Sequence, residues 1–436
     1  MSSLKYKLKM RVGNLAINTS VHICRRKDKS FLGKLIFTIY QKLLHIANMS
    51  VFPVVSADKY QEITGNVEET VIETNRQGVS GNIIMAGSNE ETKLETSPLP
   101  DLKLYKYSNV CITGDSDVVV DKERGYVISD VAFNLQDNEV VIDGLMYRTI
   151  DNVCLLRDNL HRPMSHFHAG IMISGKFCQN YYHLVYENLI RLIYLDRVNI
   201  PNDVPFIVDR ISMTIPSCKG IFDTLTKGTN RQWIEIDTDK MYCFDELYCF
   251  SQINLLPSHS ADPHKSLCRL YSPEALLNMR SKLIPYQSGK IYTKRFIISR
   301  AAAKVRHYNE QEIFQSLHKY GFECVAPENL SFEEQMSLFS GAEYIISGSG
   351  AALTNLLFVT KKCTVICFGR SSYNEISDVP IFNTIANING ARFYFFPRKS
   401  RVIDNVHVDY EVDCRRLEKF ISELINNNEK NLSFHN

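Results

Sequence analysis

His183 and Glu187 stand four residues apart in the run NYYHLVYENLIRLIYLDRV, residues 180–198. On a helix that spacing lays both side chains on one face. An imidazole and a carboxylate so placed can act as a proton-transfer pair, or can simply satisfy one another at a helix surface. A second group lies far along the chain. Arg300 and Arg306 are two fixed cations just after the apolar run RFIIS (295–299), and Ser347-Gly348-Ser349-Gly350-Ala351-Ala352 is a turn of small residues. Such a turn stacks backbone N–H groups at the start of a helix, where a phosphate is stabilised. The residue types therefore point to proton transfer in one segment and to binding of a diphosphate in another.

Those residues need elements to hold them. Residues 295–357 read as strand, helix, strand, helix, strand, helix, with the small-residue turn where the last strand meets the last helix. A parallel sheet with an anion-binding crevice at its strand ends suits a nucleotide or nucleotide-sugar. Asn309 with Glu312 and Ser331 with Glu334 read as caps for the two following helices. TVICFG (364–369) and ARFYFF (391–396) are further strands, and VDCRRLEKFISELI (412–425) is a closing amphipathic helix. Upstream, the helix 180–198 is followed by a strand at 204–209, a helix at 219–228, and strands at 233–237 and 246–252. Ser272-Pro273-Glu274 opens a helix with a cap, a proline at N1 and an early acid. The break PYQSGK (285–290) reads as an inter-domain hinge. Residues 104–150 alternate apolar and polar, a short β-rich element. The reading divides the chain into a basic amphipathic segment (1–56), a polar connector (57–103), an N-terminal acceptor-side lobe (104–288) and a C-terminal nucleotide-sugar-binding lobe with its closing helix (289–436).

Composition narrows the classes. The 436 residues are 44% hydrophobic and 22% charged, with a net charge of +2, an ordinary globular balance that argues against a general nucleic-acid binder. The charge is uneven. Residues 1–48 hold ten Lys/Arg against one acid, leaving 40 basic against 47 acidic residues in the rest. Within that head, FLGKLIFTIYQKLLHI (31–46) places Leu32, Ile36, Ile39, Leu43 and Ile46 on one helical face behind Arg25, Arg26, Lys27 and Lys29. This suits a helix resting peripherally on an anionic membrane, or one packed on its own protein. The twelve cysteines lack metal-site spacing and read as free thiols in a reducing cytosol. The N-terminus shows no secretory signal, and no apolar run is long enough to span a membrane.

Taken together, NYYHLVYENLIRL, ISR followed by R-x-x-NE, and ENLSFEEQMSLFSGAEYIISGSGAALTN resemble, in content and order, glycosyltransferase family 61. The resemblance covers about residues 105–400 and is strongest over 295–360. It implies an α/β protein of two Rossmann-like lobes of the glycosyltransferase-B type and inverting transfer from a nucleotide-sugar to a hydroxyl of a glycan acceptor. It also implies no metal cofactor and a part in cell-surface or capsular polysaccharide synthesis, at the cytoplasmic side. On that basis His183 or Glu187 removes the acceptor's proton while the other orients it. Asn180 is a helix cap or a contact to the donor sugar. Arg300 and Arg306 meet the leaving diphosphate, with Ser347, Gly348, Ser349, Gly350, Ala351, Thr354 and Asn355 around it. The chain departs from the family at Ser349, where the family commonly carries histidine.

The remaining candidates read as structure. Asp115-Ser-Asp117 and Asp237-Thr-Asp239 fit a metal-binding DxD triplet but also ordinary solvated turns. His161, His166 and His168 form a local cluster with no carboxylate in view to complete a metal site, and read instead as a loop near the cleft that touches acceptor sugar at most. Trp233 reads as core. The competing functions are a non-catalytic nucleotide-sugar-binding protein, which Ser349 favours, and a metal-dependent glycosyltransferase. A dehydrogenase fits poorly, because the glycines follow a late strand.

Overall fold

The computed structural model of the chain describes residue 39 and residues 49–130, 145–150, 153–157, 164–256, 269–369, 381–399 and 408–433. The basic segment, with its amphipathic helix, and His161 lie outside the described residues. The strands of the first part are β1 (Met49–Val55), β2 (Val67–Glu73), β3 (Gln77–Gly81), β4 (Leu94–Pro98), β5 (Leu102–Ile112), β6 (Val119–Asp121), β7 (Tyr126–Ile128), β8 (Met146–Ile150), β9 (Val153–Arg157), β10 (Met164–Met172), β11 (Phe206–Asp209), β12 (Trp233–Ile236) and β13 (Met241–Phe250). Five more follow: β14 (Arg295–Ile298), β15 (Glu323–Val325), β16 (Tyr344–Gly348), β17 (Thr364–Gly369) and β18 (Arg392–Pro397). The chain forms two compact units. One holds Met1–Gln77, Pro98–Phe222 and Thr226–Leu270; the other holds Gly78–Ser97, Asp223–Leu225 and Tyr271–Asn436.

The first unit is built on an eleven-stranded mixed sheet in the order β12-β11-β10-β13-β5-β6-β7-β1-β9-β8, with β2 also on β5. The strands β12, β11, β10 and β13 are parallel to one another, and β1 also meets β7 in parallel. Helices lie between β10 and β11 and between β11 and β12, and parallel neighbours need such crossovers. Upstream of residue 130 short turns join most strands, so most pairs there are antiparallel. The short β-rich element is thus no separate piece, since its strands extend the sheet that carries the four parallel ones. Residues 57–103, read as a polar connector, contain the helix Ala57–Thr64 and β2–β4. Ser56 caps that helix by accepting from the Lys59 amide, and Tyr60 on it is fully buried. Apolar side chains of β5 and β13, among them Val110, Ile112, Phe244 and Leu247, meet Val67 and Ile207 in the main core of this unit. A second core gathers Val54, Val118, Val120, Val127 and Leu156.

Cys111 and Cys243 are directly paired residues of β5 and β13 and form a disulfide. The reading of free thiols fails there, because antiparallel register brings together two cysteines that are 132 residues apart in sequence. The other described cysteines are free, and most are buried. Trp233 also departs from expectation: it is 46% exposed on the edge strand β12, edge-on to Phe222. An edge strand has a neighbour on one side only, which leaves such a ring half covered.

The second unit holds a five-stranded parallel sheet in the order β15-β14-β16-β17-β18. β16 and β17 are buried along their whole length, as central parallel strands covered on both faces must be. Ser272 caps the helix Pro273–Leu283 as its sequence indicates, and Ser331 with Glu334 forms the capping box of the helix Phe332–Ser340. Asn309 does not cap its helix. Its amide instead accepts from the Val412 N–H and donates to the Val412 carbonyl, fastening the C-terminal segment to the helix start. The unit boundary lies at Leu270/Tyr271, so the helix ahead of the 285–290 break packs with the second unit. Among the described residues no helix is long and apolar enough to cross a membrane.

Candidate functional sites

In the five-stranded sheet of the second unit β14 is first in sequence, and its neighbours β15 and β16 lie on opposite sides of it. The chain therefore reverses its direction of sheet growth between β14 and β16, and ligands of open α/β sheets bind outside the strand ends at such a point. The predicted anion residues fall there. Arg300 follows β14, and its backbone N–H donates to Glu310 Oε2 at 2.8 Å while Ser299 Oγ donates to Glu310 Oε1. Glu310 thereby fixes the first turn after the strand. Arg300 Nη2 donates to the Val305 carbonyl, and Arg306 Nη1 donates to the Ser349 carbonyl at 2.9 Å. Arg306 has φ +62°, a left-handed conformation uncommon for a residue with a side chain. Burial, and next the charge of Arg300, pull its guanidinium below the ordinary arginine range.

The turn contributes backbone more than side chains. Ser347 Oγ donates to the Gly348 carbonyl and is buried. Ser349 and Gly350 are half-buried and Ala351 is exposed at the start of a 3-10 helix, Ala351–Phe358. The first amides of any helix lack an intrahelical acceptor. A Cβ on Gly350 would lie 2.9 Å from Arg300 Nη1, so glycine is what lets that guanidinium approach the turn. Thr354 and Asn355 are each 1% exposed, and Asn355 Nδ2 donates to Gln335. They brace the helix from inside.

Two residues that sequence reasoning missed stand beside this turn. Arg398 follows β18, and its guanidinium lies over the Tyr410 ring at 4.3 Å. Tyr410 Oη lies 2.1 Å from where a Gly348 Cβ would be. The position of Arg398 after the strand ARFYFFP was a usable signal; nothing local marks Tyr410.

In the first unit β10 has β11 on one side and β13 on the other, so a reversal of the same kind lies at its end. The segment that follows leads into the helix carrying His183 and Glu187. Asn180 caps it, its Oδ1 accepting from the Tyr182 amide. The helix is irregular. Tyr181–His183 is α-helical, Leu184–Asn188 is a π-helix, and Leu189–Arg197 is 3-10. π turns are rare and recur at functional sites. Here the wider turn accompanies a close contact, His183 Nδ1 to Glu187 Oε1 at 2.6 Å. Phe177 and Tyr182 hold the imidazole between them, with centroids at 4.9 and 5.1 Å. A carboxylate on Nδ1 selects the tautomer whose Nε2 carries a lone pair.

The loop before this helix is pinned from below. Asp115 accepts from the Phe177 amide and pairs with Lys176 Nζ at 2.6 Å. Asp209, at the end of β11, accepts from the Asp115 and Gly175 amides, and burial raises its carboxyl to about 6. Asp117 lies 3.9 Å from Arg191. The Asp115–Asp117 triplet is therefore a half-buried scaffold and not a solvated turn, because its carboxylates pair with cations and Asp115 accepts from a loop amide. Asp239 remains solvent-exposed and Asp237 pairs with Arg210. His166 and His168 sit on β10 itself rather than in a loop, both beside Asp245 at 3.2 and 3.1 Å. Among the described residues no group of three or more His, Cys, Asp or Glu is placed to hold a metal.

No curated protein matches the chain. The family model described as Glycosyltransferase 61 matches residues 159–366, a span that includes the His183–Glu187 pair, both arginines and the small-residue turn. That match, over a little less than half of the chain, supports membership of glycosyltransferase family 61.

Proposed function

We propose that this glycosyltransferase moves a sugar with inversion from a nucleoside diphosphate sugar to a hydroxyl of a glycan acceptor, with two Rossmann-like lobes acting in the glycosyltransferase-B manner. The observation that carries the reading is the Arg300–Arg306 pair over a glycine turn at the point where the parallel sheet reverses. In this mechanism the acceptor oxygen attacks the anomeric carbon as the bond to the leaving phosphate oxygen breaks. Charge building on the leaving diphosphate is met by the two guanidiniums and the first amides of the 3-10 helix. His183 Nε2 takes the acceptor proton, and Glu187 on Nδ1 holds the ring and stabilises the imidazolium that forms. The chemistry so written needs no metal, and turnover that survives a chelator supports it.

The test is incubation of the full chain with a panel of nucleotide-sugars, following release of nucleoside diphosphate and the anomeric configuration of the product. His183→Ala should lower turnover by about 10²–10⁴-fold. Undiminished transfer by that variant sinks the assignment, and a donor that raises Tm without any turnover supports a binding protein instead. The basic residues 1–48 suit peripheral contact with an anionic membrane that carries a lipid-linked acceptor, as in cell-surface polysaccharide synthesis. Vesicle binding that persists after their deletion refutes that part. The cytoplasmic placement rests on free thiols, and the Cys111–Cys243 cross-link favours an oxidising compartment. Alkylation under non-reducing conditions decides between the two.

A further inference from the structure

We infer that Arg398 and Tyr410 complete the anion site begun by Arg300 and Arg306, each giving a hydrogen bond to a non-bridging oxygen of the diphosphate. This rests on the reading of the second unit as the donor-phosphate site. It adds two ligating residues that the motif leaves out.

The argument is one of unmet donors. Buried polar groups in folded proteins nearly always have partners, and a cluster of exceptions needs an explanation. In this small region Arg300 Nε, Arg306 Nε, Arg398 Nε and Tyr410 Oη are all buried without a hydrogen-bond partner. Three of these four belong to guanidiniums, and among the described residues none of those guanidiniums forms a salt bridge. Arg300 and Arg398 both pull the Arg306 guanidinium down, after burial, so the three cations act on one another. Uncompensated like charges in a partly buried site cost stability, which a bound polyanion relieves.

Tyr410 is held for such a role. Its ring stacks on Tyr308 at 5.7 Å, meets Phe368 edge-on and lies under Arg398. Its hydroxyl reaches over Gly348, and Arg300 Cδ lies 3.7 Å from the place a Cβ on that glycine would take. Burial keeps the phenol protonated well above its ordinary range, and the three arginines oppose that shift without cancelling it. A protonated phenol beside cations can donate only to an acceptor that enters with the ligand.

The experiment is calorimetric titration of the full chain with inorganic pyrophosphate, with inorganic phosphate as control, for the natural protein and for Arg306→Gln, Arg398→Gln and Tyr410→Phe. Arg398→Gln should weaken pyrophosphate binding about tenfold or more, and Tyr410→Phe about tenfold. Tyr410→Phe keeps the ring packing and removes an unmet hydroxyl. The ligand-free Tm should therefore rise by roughly 2 °C while affinity falls, which loss of a structural hydrogen bond would not produce. If Arg306→Gln loses affinity but Arg398→Gln and Tyr410→Phe bind as the natural protein does, this inference is overturned and the diphosphate reading stands. If the natural protein does not bind pyrophosphate, both fall. A lowered ligand-free Tm in Tyr410→Phe also overturns it.

Discussion

The Arg306 guanidinium donates to the Ser349 carbonyl at 2.9 Å, linking the segment after β14 to the turn after β16. The bond crosses the point where the sheet reverses, and it is made from a left-handed residue at φ +62°. A non-glycine residue in that region carries strain of about 1–2 kcal/mol. The strain sits at the residue whose guanidinium makes this bond.

Replacing Arg306 with glycine should therefore separate stability from function. Arg306→Gly relieves the backbone strain and loses one hydrogen bond worth about 1 kcal/mol, two effects of opposite sign. Its Tm should stay within a few degrees of the natural protein while transfer from a nucleotide-sugar falls at least about 100-fold. Thermal unfolding and initial rates on one preparation check both. A large drop in Tm would mean that the side chain is chiefly structural.

Gly348 and Tyr410 should be coupled. A Cβ on Gly348 would lie 2.1 Å from Tyr410 Oη, and the next atom is the ring carbon at 3.4 Å, an ordinary contact. Gly348→Ala should destabilise by about 1–3 kcal/mol through overpacking. The double variant Gly348→Ala/Tyr410→Phe should recover most of that loss, a coupling readable from four urea denaturation curves.

The Glu187→Gln variant keeps an acceptor for the His183 Nδ1 proton but removes the charge that stabilises the imidazolium. We expect kcat to fall about 10–100-fold with KM for the donor little changed, since the residue acts through His183 and not on the substrate. Steady-state kinetics at saturating acceptor measure it. A rise in KM with unchanged kcat would assign Glu187 to binding.

Asp209 gives a pH test of the scaffold. Its folded carboxyl is raised to about 6 from 3.8, chiefly by burial. A raised acid makes the folded state bind more protons than the unfolded one, so its contribution to stability is greatest below the unfolded value. That contribution is lost as pH rises through the folded one. The Asp209→Asn variant does not titrate. The stability of the natural protein relative to this variant should therefore decline between about pH 4 and pH 7, by about 3 kcal/mol at most. Denaturant midpoints at the two pH values check the sign. An opposite trend would mean that the carboxylate is held ionised by its amide partners.

Much of the site was legible in the chain because its signals are local. The four-residue spacing of His183 and Glu187, the cap at Asn180, the capping box at Ser331 and the glycine turn after an apolar strand each depend on neighbours a few residues away. The helix at 180–198 was visible for the same reason, but its π turn was not, since hydrophobic spacing does not distinguish 3.6 from wider turns. Asn309 looked like a cap and became a bridge to Val412, because a partner 103 residues away competed with its own helix.

By itself the sequence determined the resemblance to the family, the strand–turn–helix units and the candidate residues for chemistry, all of which rest on residue type and short spacing. Tertiary structure alone decided the rest. It merged the N-terminal β residues into one mixed sheet, joined Cys111 to Cys243, paired Asp115 with Lys176 and the Phe177 amide, and brought Arg398 and Tyr410 to the glycine turn. Those pairings join residues dozens to more than a hundred positions apart, and sheet register, which no local pattern encodes, is what sets them.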